Sequence, residues 1–387
     1  MRVDKLVLDD FRNYVHAEVE LAPGVNLVVG ANAQGKTNLL EGVHCLGGLG
    51  SPRSADAGLV RHGCERALLH ADLVRGERRV HVDVEIRPGR GTRALVNRTP
   101  VPRVRGLQEL TTSVFFGPDD LALVKGSPDG RRRFVDDLLV KLRPARDGLR
   151  REWERVLKQR NALLKSAPSD RGSRTDVAAM LDVWDEAFAR TGAALTAARL
   201  ETLSALQPYV QKRYEQIAGG GEMTLDYESG WTGERGQSAL LGGDPGEDAL
   251  RQRLADALRA GRTRELDRRI SLTGPQRDDV SVSLTGPSSP GAPSDARAFA
   301  SQGDQRTCAL ALKLAEHELL AEALGDEPVL LLDDVFSELD PARRAWLTDA
   351  LRGRGQTIVS SAEPLDPGLA GGARVLDVVA GEVRPRG

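Results

Sequence analysis

GANAQGKT, Gly30 to Thr37, follows the apolar run VNLVV (Val25–Val29) and precedes NLLEGVHC (Asn38–Cys45). A glycine, four spacers, then glycine–lysine–threonine is the spacing of a phosphate-binding loop, and a strand before with a helix after is the context that spacing needs. The pattern predicts that Gly30, Ala31, Asn32, Ala33, Gln34, Gly35, Lys36 and Thr37 cradle a nucleoside triphosphate. Backbone N–H groups of such a loop surround phosphate oxygens, and the positive end of the following helix faces them. Lys36 is expected to reach the β- and γ-phosphates, and Thr37 to ligate Mg²⁺.

A second stretch belongs with the first. In PVLLLDDVFSELD (Pro328–Asp340), four apolar residues form a buried strand that delivers Asp333 and Asp334 at its carboxyl end. Ligands of open α/β sheets bind at that end. Asp333 is expected to hold Mg²⁺ through water, and Asp334 to polarise an attacking water as the catalytic residue. A third stretch, FASQGDQRT (Phe299–Thr307), places Ser301 and Gly303 at a helix start, which makes a second anion site. One chain needs one phosphate loop, so a second phosphate-facing helix end predicts two chains sharing a nucleotide.

Bulk properties set limits. A chain of 387 residues is long for one domain. Its 40% hydrophobic and 28% charged content is that of a soluble globular protein. At 4% aromatic residues it offers no stacking platform for single strands, and at net charge −2 no global field draws it to nucleic acid. DNA contact would need a local basic face; Arg131, Arg132 and Arg133 are the candidates. Cys45, Cys64 and Cys308 have no metal-ligand spacing, and His44, His62, His70, His81 and His317 form no spacing cluster. The charged N-terminal stretch and the absence of any long apolar run predict a cytoplasmic protein without a membrane segment.

Strand signals mark Val3–Leu8, Leu68–Leu73, Val80–Ile86, Ala94–Val96 and Val114–Phe116. From Asp119 to Gln216 helical patterns replace them: Val177, Leu181, Trp184 and Phe188 make one stripe, interrupted near Pro208. A Gly-rich loop (Gly230–Gly246), a basic helix (Ala249–Arg264) and a strand (Val280–Leu284) follow. Pro287–Asp295 reads as a mobile turn. The last hundred residues read helix, strand, helix, strand.

These segments in this order resemble an ATP-binding-cassette head: phosphate loop, signature, acidic strand, and SELD (Ser337–Asp340) as the D-loop. FRNY (Phe11–Tyr14), GKTNLLEG, FGPDDLALVKGSPDGRRRFVD (Phe116–Asp136) and GPQRDD (Gly274–Asp279) narrow the resemblance to the RecF recombination-repair family. That resemblance implies an α/β fold, an ABC-type P-loop ATPase head with mixed sheets and an inserted helical arm. The expected partition is head at 1–118, arm at 119–270 and head again at 271–387. The resemblance also implies ATP and Mg²⁺ as cofactors, an ATP-dependent homodimer, and weak DNA-dependent hydrolysis. It further implies DNA as a ligand and partners of the RecO, RecR and RecA types. Asp304 stands where the family's signature carries glutamine, and Gln276 where GPHRDD has histidine; no glutamine is placed as a Q-loop residue. Two other classes fit the loop: a transport cassette, which needs only about half this length, and a phosphotransferase, which needs no signature helix.

Overall fold

The computed structural model describes residues 1–168, 175–231, 246–286, 289–362 and 371–386. The chain divides into two units: 1–120 with 309–387, and 121–308. In chain order the first unit begins with β1 (Arg2–Phe11), β2 (Tyr14–Glu20), β3 (Val25–Val29) and α1 (Lys36–Cys45). It continues with β4 (Ala67–Arg75), β5 (Arg78–Arg87), β6 (Gly91–Val96), β7 (Thr99–Pro100) and β8 (Ser113–Phe116). The second holds α2 (Ala122–Lys125), α3 (Pro128–Leu142), α4 (Asp147–Ser166), α5 (Thr175–Ala218), β9 (Glu222–Glu228), α6 (Glu247–Arg268), β10 (Asp279–Gly286), β11 (Ser289–Asp295) and α7 (Ala296–Phe299). Helix α8 (Gln302–Leu324) spans the boundary, and β12 (Val329–Asp333), α9 (Pro341–Leu351), β13 (Thr357–Ser361), β14 (Arg374–Val379) and β15 (Glu382–Pro385) close the chain.

The first unit is built on two sheets. One runs β15-β14-β3-β13-β12-β8, parallel except for the β14–β15 hairpin at its edge. A parallel strand is covered on both faces, which is why β12 reads as an unbroken apolar run and not as an alternation. The other sheet is antiparallel, β2-β1-β4-β5-β6-β7, and its strands alternate buried and open positions. Leu39, Leu40 and Val43 of α1 share one buried cluster with Leu6 and Leu8 of β1, and with Leu331 and Ile358 of the parallel sheet. Truncating one such leucine to alanine typically costs about 2–5 kcal/mol. The parallel order brings the carboxyl ends of β3, β13, β12 and β8 to one edge.

In the second unit the expected interruption at Pro208 is absent: α5 runs through it for 44 residues, about 66 Å at ~1.5 Å per residue. Proline removes one helical hydrogen bond. The side chains on either side of it brace the helix instead. Gln207 donates to Met223 O (2.8 Å) and accepts from Leu225 N (2.8 Å), while Gln211 accepts from Met223 N (2.9 Å). Gly219, Gly220 and Gly221, all at positive φ, turn the chain back into β9.

Two further expectations change. Most of Pro287–Asp295 is strand, not turn: β11 pairs antiparallel with β10, and only residues 287 and 288 lie outside the described ones. The second boundary falls at 308/309 instead of 270/271, because β10 pairs with β9 on one side and β11 on the other. Of the glycine-rich loop, residues 232–245 lie outside the described ones.

Candidate nucleotide site

The loop between β3 and α1 is fixed from several sides. Gly30 closes on its neighbour so tightly that a Cβ there would lie 2.3 Å from Val378 O, and Gly35 sits at φ +120, where L residues are strained. The tetrapeptide Phe11–Tyr14, which joins β1 to β2, supplies braces for which the sequence offered no role. Tyr14 OH donates to Gly35 O (2.9 Å), Asn13 Nδ2 donates to Gln34 O (2.9 Å), and Asn38 Nδ2 donates to Asn13 Oδ1 (2.8 Å). From the other side, Ala380 N donates to Gln34 Oε1 at 2.7 Å. Arg12 forks onto the buried Glu41 of α1 with two 2.7 Å bonds, tying the β1–β2 turn to the loop helix.

Within this frame Lys36 Nζ donates to Gly30 O (2.8 Å) and Ala31 O (2.9 Å), so its ammonium lies across the loop. Thr37 Oγ1 donates to Asp333 Oδ1 at 2.8 Å, joining the two expected Mg²⁺ residues across 296 positions of sequence. Ser360 Oγ, at the end of β13, donates to the same oxygen at 2.6 Å. Burial pushes the Asp333 carboxyl above its ordinary value, against the hydrogen bonds from Ser360 and Thr37. Asp334 takes a left-handed backbone (φ 51), and its N–H donates to Ser360 Oγ (3.0 Å). Its Oδ1 is buried and meets no hydrogen-bond donor among the described residues. Gly117 follows β8 beside them, its would-be Cβ 3.4 Å from Asp333 Cβ. Ser360 and Gly117 escaped the sequence reading because only parallel pairing shows where the strands end.

These residues fit a triphosphate and a magnesium ion. The loop is shaped so that its glycines cannot be replaced. Thr37 and Asp333 are hard oxygen donors of the kind Mg²⁺ takes, and a buried carboxylate oxygen without a donor suits a metal-bound water.

Ser301 and Gly303 lie in the second unit, at the start of α8. Ser301 Oγ donates to Asp304 Oδ2 (2.8 Å) and accepts from Asp304 N (3.2 Å), a reciprocal cap of the helix. The carboxylate that replaces the signature glutamine is thus folded back on its own serine.

The basic run is corrected in part. Arg131 is buried and forks onto Asp279 (2.8 and 2.7 Å), and it also donates to Gly126 O (2.9 Å). Arg132 pairs with Asp129 and donates to Asp278 O. Guanidinium groups held this way are architecture; a pairing 148 residues away in sequence had no local signal. Arg133 alone is well exposed, 3.6 Å from Asp137.

Comparison with known proteins meets this geometry. The RecF/RecN/SMC N terminal domain profile matches residues 2–365. The DNA replication and repair protein RecF of Streptomyces avermitilis is 45% identical over 379 residues, 97% of each chain. That of Beutenbergia cavernae is 45% identical over 406 aligned positions, 99% of each. The chain belongs to the RecF family. A solved structure of the recombination mediator protein RecF-ATPrS in the RecFOR pathway superposes with TM-score 0.86 at 26% identity, covering 100% of this chain and 98% of that one. An Smc head bound to the C-winged helix domain of ScpA, at TM-score 0.55 and 15% identity, covering 100% and 97%, shares the fold alone. RecF and SMC heads share the ABC-type ATPase architecture, and the α/β fold expected from the motifs is the fold found. No helix among the described residues is long and apolar enough to cross a membrane.

Proposed function

We propose that this RecF-family chain is an ATP-switched DNA-binding protein of recombinational repair and replication. On this reading it acts at single-strand gaps in the cytoplasm as an ATP-dependent homodimer. It helps load a RecA-type recombinase with RecO- and RecR-type partners. The observation that carries the ATP half is the Thr37–Asp333 contact of 2.8 Å beside Lys36, in a loop that Asn13 and Tyr14 hold in shape. The DNA half is supported by family membership and by the RecFOR context of the solved RecF-ATP structure, 27% identical at TM-score 0.85.

Thr37 and Asp333 would hold Mg²⁺, which neutralises phosphate charge when bound. Lys36 turns its ammonium from the carbonyls of Gly30 and Ala31 toward the β- and γ-phosphates. Asp334, its Oδ1 free of donors, takes a proton from the attacking water. Ser301 and Gly303 cap the γ-phosphate held by a second copy of the chain.

Lys36→Ala tests the reading. Losing a charge-assisted contact worth about 1.5–3 kcal/mol should weaken ATP binding roughly ten- to hundredfold, and abolish ATP-dependent binding to gapped DNA. Equal ATP affinity and equal gap binding in the variant would overturn it.

A further inference from the structure

His70 and His81 are eleven residues apart on different strands, and pairing brings them together. The β4–β5 register sets His70 opposite Asp83 and Asp72 opposite His81. All four face away from the core, since Leu69, Ala71, Leu73, Val82 and Val84 take the buried positions between them. Asp83 Oδ1 lies 2.6 Å from His70 Nδ1 and 2.9 Å from His81 Nε2. One donor atom from each of the three residues falls within 4.8 Å of the others. The opposite ring nitrogens also meet carboxylates: His81 Nδ1 is 2.9 Å from Asp72 Oδ1, and His70 Nε2 is 3.9 Å from Asp9 Oδ2.

Each imidazole therefore offers one nitrogen to a common point and turns the other to a carboxylate. Proteins use that arrangement to orient ligating histidines and fix their tautomer. Hydrogen bonds between neutral rings do not account for it. Both nitrogens of His81 face carboxylate oxygens, but a neutral imidazole has one N–H. Either an added proton or a metal ion must supply the missing positive charge. Three carboxylates stand around these two rings: Asp72, Asp83 and Asp9, whose Oδ1 also meets His16 Nδ1 at 2.7 Å.

We propose that His70, His81 and Asp83 form a binding site for a divalent transition-metal ion of the zinc class on the outer face of the antiparallel sheet. Zinc bonds of about 2.0–2.2 Å to nitrogen and oxygen put tetrahedral ligand atoms roughly 3.3–3.5 Å apart. Asp83 Oδ1 stands closer than that to both nitrogens, at 2.6 and 2.9 Å, and all three atoms lie within 4.8 Å of one another, so small side-chain rotations that open the contacts complete the set. Two imidazole nitrogens favour zinc over magnesium. The three side chains are part-exposed, so an ion can reach them from solvent. Asp72 is a positioning residue that acts through His81.

The test is equilibrium dialysis of the full-length protein against Zn²⁺ alone, after chelator treatment, with bound metal read by elemental analysis. The wild type should hold one equivalent at micromolar free metal. The double variant His70→Ala/His81→Ala should lose it while keeping its circular dichroism spectrum. Asp72→Asn should weaken binding about 10- to 100-fold. Asp333→Asn, which alters the nucleotide site, should keep the equivalent. Co²⁺ in place of Zn²⁺ should give visible d–d bands with no thiolate charge-transfer band, which separates this site from Cys64. No bound equivalent in the wild type, an equivalent retained by the double variant, or one lost with Asp333→Asn would each overturn the assignment.

Discussion

Two aspartate pairs end two motifs of this chain, and their surroundings differ in kind. Asp278 accepts from Tyr227 OH (2.7 Å) and Trp231 Nε1 (3.1 Å), and Asp279 accepts the Arg131 fork. Among the described residues, Asp333 accepts hydrogen bonds from the hydroxyls of Thr37 and Ser360, and Asp334 Oδ1 meets no donor. A carboxylate matched by a guanidinium, or boxed in by buried aromatic donors, has little left to offer a ligand. One held by hydroxyls keeps its charge available to a cation. In GPQRDD the acidic pair builds architecture; in LLLDD it is left open for chemistry.

The largest test strikes the architectural side. Arg199 beside Asp278 forks onto Asp136 (2.7 and 2.9 Å) and donates to Pro275 O (2.9 Å), with both partners buried. Arg199→Ala strands a buried carboxylate, which typically costs about 3–5 kcal/mol. Chemical denaturation of the second unit should show that loss, while ATP binding to the folded protein stays at the wild-type level. A stability change under 1 kcal/mol, by roughly the surface-pair scale, would break the contrast.

Next in size is a pH effect at Asp278. Burial first of all, opposed by Tyr227, pushes this carboxyl from 3.8 to about 6. Between those values the native protein keeps a proton that the unfolded chain has released. Stability therefore falls as pH rises through that window, and levels off above it. The drop is on the order of 3 kcal/mol, at 1.36 kcal/mol per unit. Asp278→Asn should remove this fall, so in urea titrations from pH 4 to 7 the variant's own curve should be flatter and its difference from wild type should change across the window. Parallel curves would show that Asp278 does not titrate in the window.

Much of the nucleotide site was legible because its signals are local. The loop spacing needs eight residues, and an apolar run such as Val329–Leu332 announces a buried parallel strand without reference to its neighbours. What depended on pairing was not legible. Arg131 reads as a surface cation until β10 supplies Asp279. Pro287–Asp295 carries turn residues yet pairs with β10. Pro208 reads as a breaker, because nothing local says that Gln207 and Gln211 will lace the helix to β9. His70 and His81 lie too far apart in sequence for any spacing rule, and the β4–β5 hairpin closes the gap.

Asp334→Asn probes the open pair. The side chain keeps its size and loses its capacity to take a proton. Turnover, already expected well below the ~10 s⁻¹ enzyme median, should drop about a hundredfold, the low end for removal of a general base. ATP and Mg²⁺ binding through Lys36, Thr37 and Asp333 should persist, so the ATP-bound dimer should outlive that of the wild type on DNA. Single-turnover hydrolysis at the wild-type rate would make Asp334 a support for Ser360 and leave the water to another base.

The smallest expected effect extends the contrast to a third carboxylate. The carboxylate of Asp304, at the start of α8, is also held by a hydroxyl, that of Ser301. If this helix end caps a γ-phosphate of a second copy, that carboxylate opposes the phosphate and occupies the serine donor. Asp304→Gln retains a side chain able to close the cap, removes the repulsion, and frees Ser301 Oγ to turn outward. A part-exposed charge of this kind is worth about 0.2–1 kcal/mol, so the ATP-dependent dimer should tighten roughly threefold. Sedimentation with ATP would read that change, and without ATP both proteins should behave alike. A dimer constant unchanged by the substitution would mean that the carboxylate points away from the shared nucleotide. Ser301 and Gly303 would then act through their backbone N–H groups alone.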